Sequence, residues 1–231
     1  MPSWPSRHSD ARTQREAEPM NLGLSADDVL TTTRAVRKRL DFDRPVEREV
    51  ILDALQIALQ APTGSNAQGW HWLFVEEPET KAALGDLYRT NFEAYKQYSR
   101  TYPDGDLRAA QRDRVRSSAD YLADNWERVP VLLIPLIEGR LDNASVFQGA
   151  SAWGSLLPAV WSFMLALRER GLGSAWTTLH LPDERKAADL LGIPFDRYTQ
   201  GGLFPIAYTI GTDFKPATRL PTDGIVHWNR W

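Results

Sequence analysis

Apolar residues recur at helical spacing over much of this chain and in short β-branched runs elsewhere, and the two periods together outline its elements. From Glu47 to Gln60, Val50, Ile51, Ala54, Leu55, Ala58 and Leu59 fall on one helical face, and Pro62 marks the end of that helix. Ser25 followed by Asp28 has the form of a helix N-cap with acidic residues in the first turn. Further helices are expected from Pro78 to about Ser99 and from Leu107 to Trp126, joined by the turn signal Thr101-Tyr-Pro-Asp-Gly105. Trp70 to Val75 alternates as a strand does, and Val131 to Ile137 is a short apolar strand whose proline predicts an edge or a bulge. From Ala150 to Arg170 the pattern is apolar around most of a helix, which predicts burial on several sides, and Gly171 is its stop signal. Ala175 to Leu179 and Leu203 to Ile210 supply two more strands, separated by a helix from Pro182 to Leu191.

Helices and strands interleave unevenly, which predicts an α+β domain of three layers with a mixed central sheet flanked by helices. Residues 1–24 are rich in Pro, Ser, Arg and Glu without an apolar period and read as a flexible arm. Residues 25–231 form one domain without internal repeats. With 231 residues, 42% of them hydrophobic, the chain can bury a sizeable core. A net charge of -3 argues against a chain-wide basic surface for nucleic acid. The absence of cysteine excludes disulfides, thiolate metal sites and Cys nucleophiles. The first residues lack the apolar core of a signal peptide, and no segment approaches the length of a membrane span, so a cytoplasmic protein with no membrane partner is expected.

Familiar catalytic patterns are missing. Gly171-Leu-Gly-Ser-Ala-Trp176 begins like a dinucleotide fingerprint but lacks the third glycine and precedes a strand, so a helix C-cap explains it better. Gly149-Ala-Ser-Ala-Trp153 has no closing glycine for a nucleophile elbow. His8, His71, His180 and His227 lie too far apart for a recognisable metal pair. Two features point to an anionic, hydrogen-bonding ligand instead. The loop Ala61-Pro-Thr-Gly-Ser-Asn-Ala-Gln-Gly-Trp70 offers backbone N–H groups, hydroxyls and an amide between two buried elements. Arg34 and Arg37, three apart in a helical pattern, can turn both guanidinium groups to one side to meet a phosphate or a carbonyl oxygen. Such a cluster alone is usually a solvated helix face.

Taken together with Ala217-Thr-Arg-Leu-Pro221, these segments resemble the flavin site of the nitroreductase family, and the resemblance runs from about Asp28 to Trp231. It implies an FMN-bound, domain-entwined homodimer. Arg34 would meet the FMN phosphate and Arg37 the pyrimidine carbonyl and ribityl side, with Ala35 where many relatives have serine. Arg219 resembles the C-terminal phosphate arginine, and Ala217 replaces a lysine of some relatives. Pro62, Thr63, Gly64 and Asn66 would contact the flavin held mainly by the other subunit, while Gly69 replaces a frequent proline. Trp176, Thr177, Thr178 and Leu179 resemble the segment beside the flavin ring, with Trp176 and Thr178 where many relatives carry Pro and Glu. The end, Gly224 to Trp231, resembles actinobacterial-type members.

The implied activity is a hydride taken from NADPH or NADH and passed by a ping-pong mechanism to a nitroaromatic or quinone. A flavin carries such chemistry itself, so no acid, base or nucleophile signature is required. Arg37 is the candidate to stabilise the charge that reduction places on the ring. Flavin fragmentation, reductive dehalogenation and non-catalytic flavin storage are the alternatives. Tyr88, Phe92, Tyr95, Tyr98 and Tyr102, followed by Arg108, Arg112, Arg114 and Arg116, read either as a lid over the flavin or as a packed helix pair with a solvated basic face. The second is favoured, because aromatic stripes at helical spacing are usually core.

Overall fold

Ser25 opens the first helix as expected, its hydroxyl accepting from the Asp28 N–H at 3.1 Å, and α1 runs Ala26–Thr32. The computed structural model describes residues 21–98, 101–103 and 105–231, so most of the expected N-terminal arm lies outside the described residues. Just before α1, the backbone N–H groups of Gly23 and Leu24 donate to the Glu169 carboxylate at 2.7 and 3.1 Å. The remaining elements are α2 (Arg48–Ala58), β1 (Trp70–Val75), α3 (Pro78–Lys96), α4 (Ala109–Ala123), β2 (Val131–Glu138) and α5 (Val146–Glu169). They are followed by β3 (Leu172–Ser174), α6 (Glu184–Leu191), β4 (Tyr198–Gln200) and β5 (Phe204–Tyr208).

The sheet has the order β1-β2-β5-β3, with β4 also paired to β2. All of its ladders are antiparallel, which corrects the expectation of a mixed sheet; the one parallel pairing among the described residues is an isolated bridge between Ala35 and Ser174. β2 is central. Its Val131, Leu133 and Ile137 join the core under α2 and α5, while Leu132, Ile134 and Leu136 join the core under α3, α4 and α6. Alternate side chains therefore face two helical layers, and a strand buried on both faces reads as a continuous apolar run. The three-layer α+β architecture follows from that one strand.

Pro135 does not mark an edge. Its carbonyl accepts from Gly201 N at 2.7 Å, and within a strand the N–H and C=O of one residue point to the same side. The missing N–H thus faces the break between β4 and β5, where no ladder bond is required. The strand expected at Ala175–Leu179 lies earlier, at Leu172–Ser174, and Thr177 keeps only a bridge to Leu203. The length expectation also fails for α5, whose 24 residues are long and apolar enough to cross a membrane. α5 is instead a core helix, lying against α2, β2 and β3 and burying Ser155 and Arg168 along with its apolar residues.

Thr33–Arg37 is not helical. The side chains of Thr31, Thr32 and Thr33 bond back to the carbonyls of Asp27, Asp28 and Val29, and the chain turns extended at Thr33. Three successive threonines are poor helix formers, so a competing pairing wins: Val36 N donates to Ser174 O at 2.9 Å. Gly173 allows this approach, since a Cβ there would stand 2.9 Å from the Val36 side chain.

Candidate functional site

Lying along β3, the extended Thr33–Arg37 segment leaves its arginines at the edge of the sheet, where the C-terminal tail also arrives. Arg34 donates to the Lys215 carbonyl at 3.2 Å. Burial, and behind it the positive charges of Arg219 and Arg114, hold its guanidinium below the usual range. Three arginines from distant parts of the chain are thus gathered where they repel one another. Among the described residues, none of the three has a carboxylate partner. Ala35 is exposed and supplies no side-chain donor.

Arg37 is half-buried, its Nε has no partner, and desolvation lowers its pKa. Nearby Tyr88 does not compensate the charge, because burial pushes its phenol up to about 12 and keeps it neutral at ordinary pH. Behind this edge, Arg168 is 5% exposed, with Nε and Nη1 unpartnered, and the buried Ser174 hydroxyl is also unpartnered. Unmet buried donors are costly and uncommon, so their concentration here marks a surface built to receive acceptors. Arg114 belongs to the series expected to form a solvated basic face, whereas Arg168 and Ser174 were not among the expected site residues. Arg168 stands in the charged end Arg168-Glu169-Arg170 of α5, where a basic residue in the last turn is ordinary and gives no local signal of burial.

The Trp176–Leu179 segment turns Trp176 and Thr178 outward and Thr177 inward. The Thr177 hydroxyl is committed to the Leu203 carbonyl at 2.6 Å, so it has a structural partner already. Trp176 is 43% exposed, donates its indole N–H to Gly201 O at 3.0 Å and stacks on Phe204. Gly202, at φ 148°, makes room for it: a Cβ there would lie 2.6 Å from the indole nitrogen. Leu179 is half-buried against the core under α6.

The polar loop sits elsewhere. Gly64 N donates to Ser155 Oγ at 2.9 Å, Thr63 Oγ1 accepts from Gln68 N at 3.2 Å, and Pro62 and Asn66 are exposed. Ser65, Asn66 and Gln68 all have φ near +50°, a left-handed backbone that costs on the order of 1 kcal/mol per residue and collects at ligand clamps. Thr63 and Gly64 line a cavity of about 580 Å³ with Glu138, Arg140, Phe147 and Ser151. Along α5, Ser155 holds Gly64 and Arg168 meets Thr32, two residues before Arg34. At 1.5 Å per residue those anchor points stand about 20 Å apart. The loop and the arginine edge therefore stand apart in one chain, and the three cavities of about 580, 810 and 10 Å³ that touch either region do not join them.

The aromatic stripe divides. Tyr88 is buried against Trp126 and Phe92 against Tyr88, as a packed helix requires, whereas Tyr95 and Tyr98 are 57% and 79% exposed. With Tyr102, α4 and tail residues 218–225 they line a groove of about 810 Å³ that includes Arg219.

An α+β domain with unpaired arginines at a sheet edge offers donors of the kind that suit an anionic ligand. The model of the Nitroreductase family matches residues 30–208, and the chain belongs to that family. It is 27% identical to the iodotyrosine deiodinase of Thermotoga neapolitana over 202 residues, 85% of this chain and 94% of that protein. Among solved structures it resembles oxidised iodotyrosine deiodinase bound to FMN and 3-iodo-L-tyrosine, with TM-score 0.67, 26% identity and 89% and 99% of the two chains covered. It shares its fold with the FMN and NADPH-dependent nitroreductase NfnB of Sphigopyxis sp. strain HMH, with TM-score 0.66, 22% identity and coverage of 90% and 100%.

Proposed function

We propose that this protein is an FMN-dependent oxidoreductase that uses NADPH or NADH to reduce nitroaromatic or quinone compounds, working as a homodimer in the cytoplasm. The observation that carries the reading is that Arg34, which meets the C-terminal tail at the Lys215 carbonyl, and Arg219 on that tail have no carboxylate partner among the described residues, beside the buried, unpartnered donors of Arg37, Arg168 and Ser174. Arg34 and Arg219 fit a flavin phosphate. The buried, unpartnered Nε of Arg37 fits an acceptor such as the pyrimidine carbonyl, and exposed Trp176 and Thr178 fit the border of a flat ring. Bound FMN would supply hydride transfer, and the side chains supply orientation and charge.

Arg34 and Arg219 would anchor the phosphate through charge-assisted bonds, and Arg37 would favour negative charge at the carbonyl it faces. Reductant and oxidant would share one space in turn, which gives ping-pong kinetics. Pro62, Thr63, Gly64 and Asn66 would complete the site from the partner subunit, a division that the separation along α5 supports. Exposed apolar residues agree with a second copy: Val146, Phe147 and Trp161 on α5, and Leu52 and Ile57 on α2.

The purified protein should be yellow, NADPH alone should bleach it, and rates varied against two substrates should give parallel lines. A colourless protein that takes up no FMN would overturn the reading. Light scattering should give about twice 26.2 kDa, and a flavin-loaded monomer would refute the shared site. The deiodinase relative favours one second reading, reductive dehalogenation, which 3-iodo-L-tyrosine turnover in place of nitroaromatic turnover would establish.

A further inference from the structure

We propose that the groove between α3, α4 and the C-terminal tail selects flat aromatic ligands that carry a fixed negative charge and no ammonium group. This deepens the oxidoreductase reading by naming the class of molecule admitted beside the arginine cluster, and it rests on that reading for the chemistry that follows binding.

The groove has two kinds of wall. Tyr95 and Tyr98 give it exposed aromatic faces that favour stacking with a flat ligand, while the half-buried Tyr102 ring lies under the Arg108 guanidinium at 4.7 Å. Arg108, Arg112 and Arg116 recur every four residues on α4 and its first turn, which places them along one side, and Arg219 enters from the tail. These cations are not equally available. Arg108 is held by Asp106 at 2.6 Å and Lys96 by Glu93 at 2.7 Å. Arg112 has only a 3.3 Å contact with Asp113. Arg116 and Arg219 have no carboxylate partner among the described residues.

No aspartate or glutamate is among the described residues that line the groove. A zwitterionic amino acid such as 3-iodo-L-tyrosine would bring its ammonium group among these cations, where the described lining residues include no carboxylate and those of Asp106 and Glu93 are already committed to Arg108 and Lys96. An aromatic carboxylate, sulfonate or phosphate meets the opposite situation: its ring lies on tyrosine and its charge on a guanidinium fork. The negative charge could come from an aromatic acid acting as oxidant or from the 2′-phosphate of NADPH.

Equilibrium dialysis of the purified full chain tests this without depending on turnover. The probes are 4-nitrobenzoate against 4-nitrobenzamide, NADPH against NADH, and 4-nitro-L-phenylalanine. Wild type should bind the charged member of at least one pair about tenfold more tightly, as expected for one charge-assisted bond at a solvated site. The pair that discriminates identifies the source of the charge. The double variant Arg112→Gln/Arg116→Gln should lose that preference, and 4-nitro-L-phenylalanine should bind about tenfold more weakly than 4-nitrobenzoate. Equal binding within both pairs, a preference kept by the double variant, or a zwitterion bound as tightly as the acid would each overturn the proposal. Should the double variant fail to fold, the wild-type pairs and a Tyr98→Leu variant, expected to weaken both nitrobenzene probes, still decide it. Absence of FMN would sink the oxidoreductase reading and leave the dialysis result intact.

Discussion

Arg140 and Arg37 are both sheltered by the fold, yet the chain completes one and leaves the other open. Arg140, just after β2, meets Glu184 at 2.7 Å and Asp142 at 2.8 Å and donates to the Tyr198 carbonyl at 2.7 Å. Those carboxylates raise its pKa above the usual range. Glu184 also accepts from Gln200 N, and the Gln200 side chain reaches the ring of buried His180, so α6 and β4 are tied into one network. Arg37 has an unpartnered Nε and a pKa lowered by desolvation, beside Arg34, which is lowered further by its arginine neighbours. A corner that holds the fold together pairs its charges internally. An edge that carries charge without pairing it gives up stability that a bound anion can restore.

The comparison breaks first at Arg140. Arg140→Ala leaves the mostly buried Glu184 carboxylate without its partner, and urea unfolding should show a loss of about 3 kcal/mol. Arg34→Ala should leave apo stability unchanged or raise it; equal destabilisation by both variants would erase the distinction between the two regions.

His180 sharpens the same contrast through pH. It is fully buried, and desolvation pushes its pKa down to about 4, from 6.5. Below pH 6.5 the unfolded chain takes up a proton that the native ring refuses, so stability is fully present above that pH and falls as pH drops towards about 4. The loss approaches about 3 kcal/mol. Unfolding curves from pH 7.5 to 4 should show this slope, and His180→Gln should flatten it; an unchanged slope would assign the acid sensitivity to other groups.

On the open edge the effects belong to the ligand. Arg34→Ala and Arg219→Ala should each weaken FMN by roughly 1.5 to 3 kcal/mol, the range for a hydrogen bond to a charged group, read by dialysis with flavin fluorescence. Unchanged retention in both would remove them from the phosphate site. The smallest effect is expected at Arg37: in a fully loaded Arg37→Ala protein, reduction by NADPH should slow about tenfold, near 1.4 kcal/mol. A normal rate would mean that another group supplies the charge.

Where a segment's burial follows from its own period, the sequence was a sufficient guide. The face of α2 from Val50 to Ala58, the alternation of β1, the apolar α5 ending at Gly171 with φ 72° and the cap at Ser25 were all legible, because each depends on neighbours within a few residues. Pro135 illustrates the limit: a missing N–H predicts an interrupted ladder, but only the meeting of β4 and β5 at Gly201 decides that the interruption lies in the middle of the sheet. Tertiary pairing also overrode the helical spacing of Arg34 and Arg37, drawing Ala35 and Val36 onto β3 once the three threonines had weakened the helix. The same holds for the aromatic stripe, whose period is uniform while Trp126 buries only its first half. Residue type and spacing determined most of the elements, since propensity is local. Which arginines stand together unpaired, and that the loop at Gly64 lies about a dozen residues of α5 away from them, was decided by long-range contacts that no local period encodes.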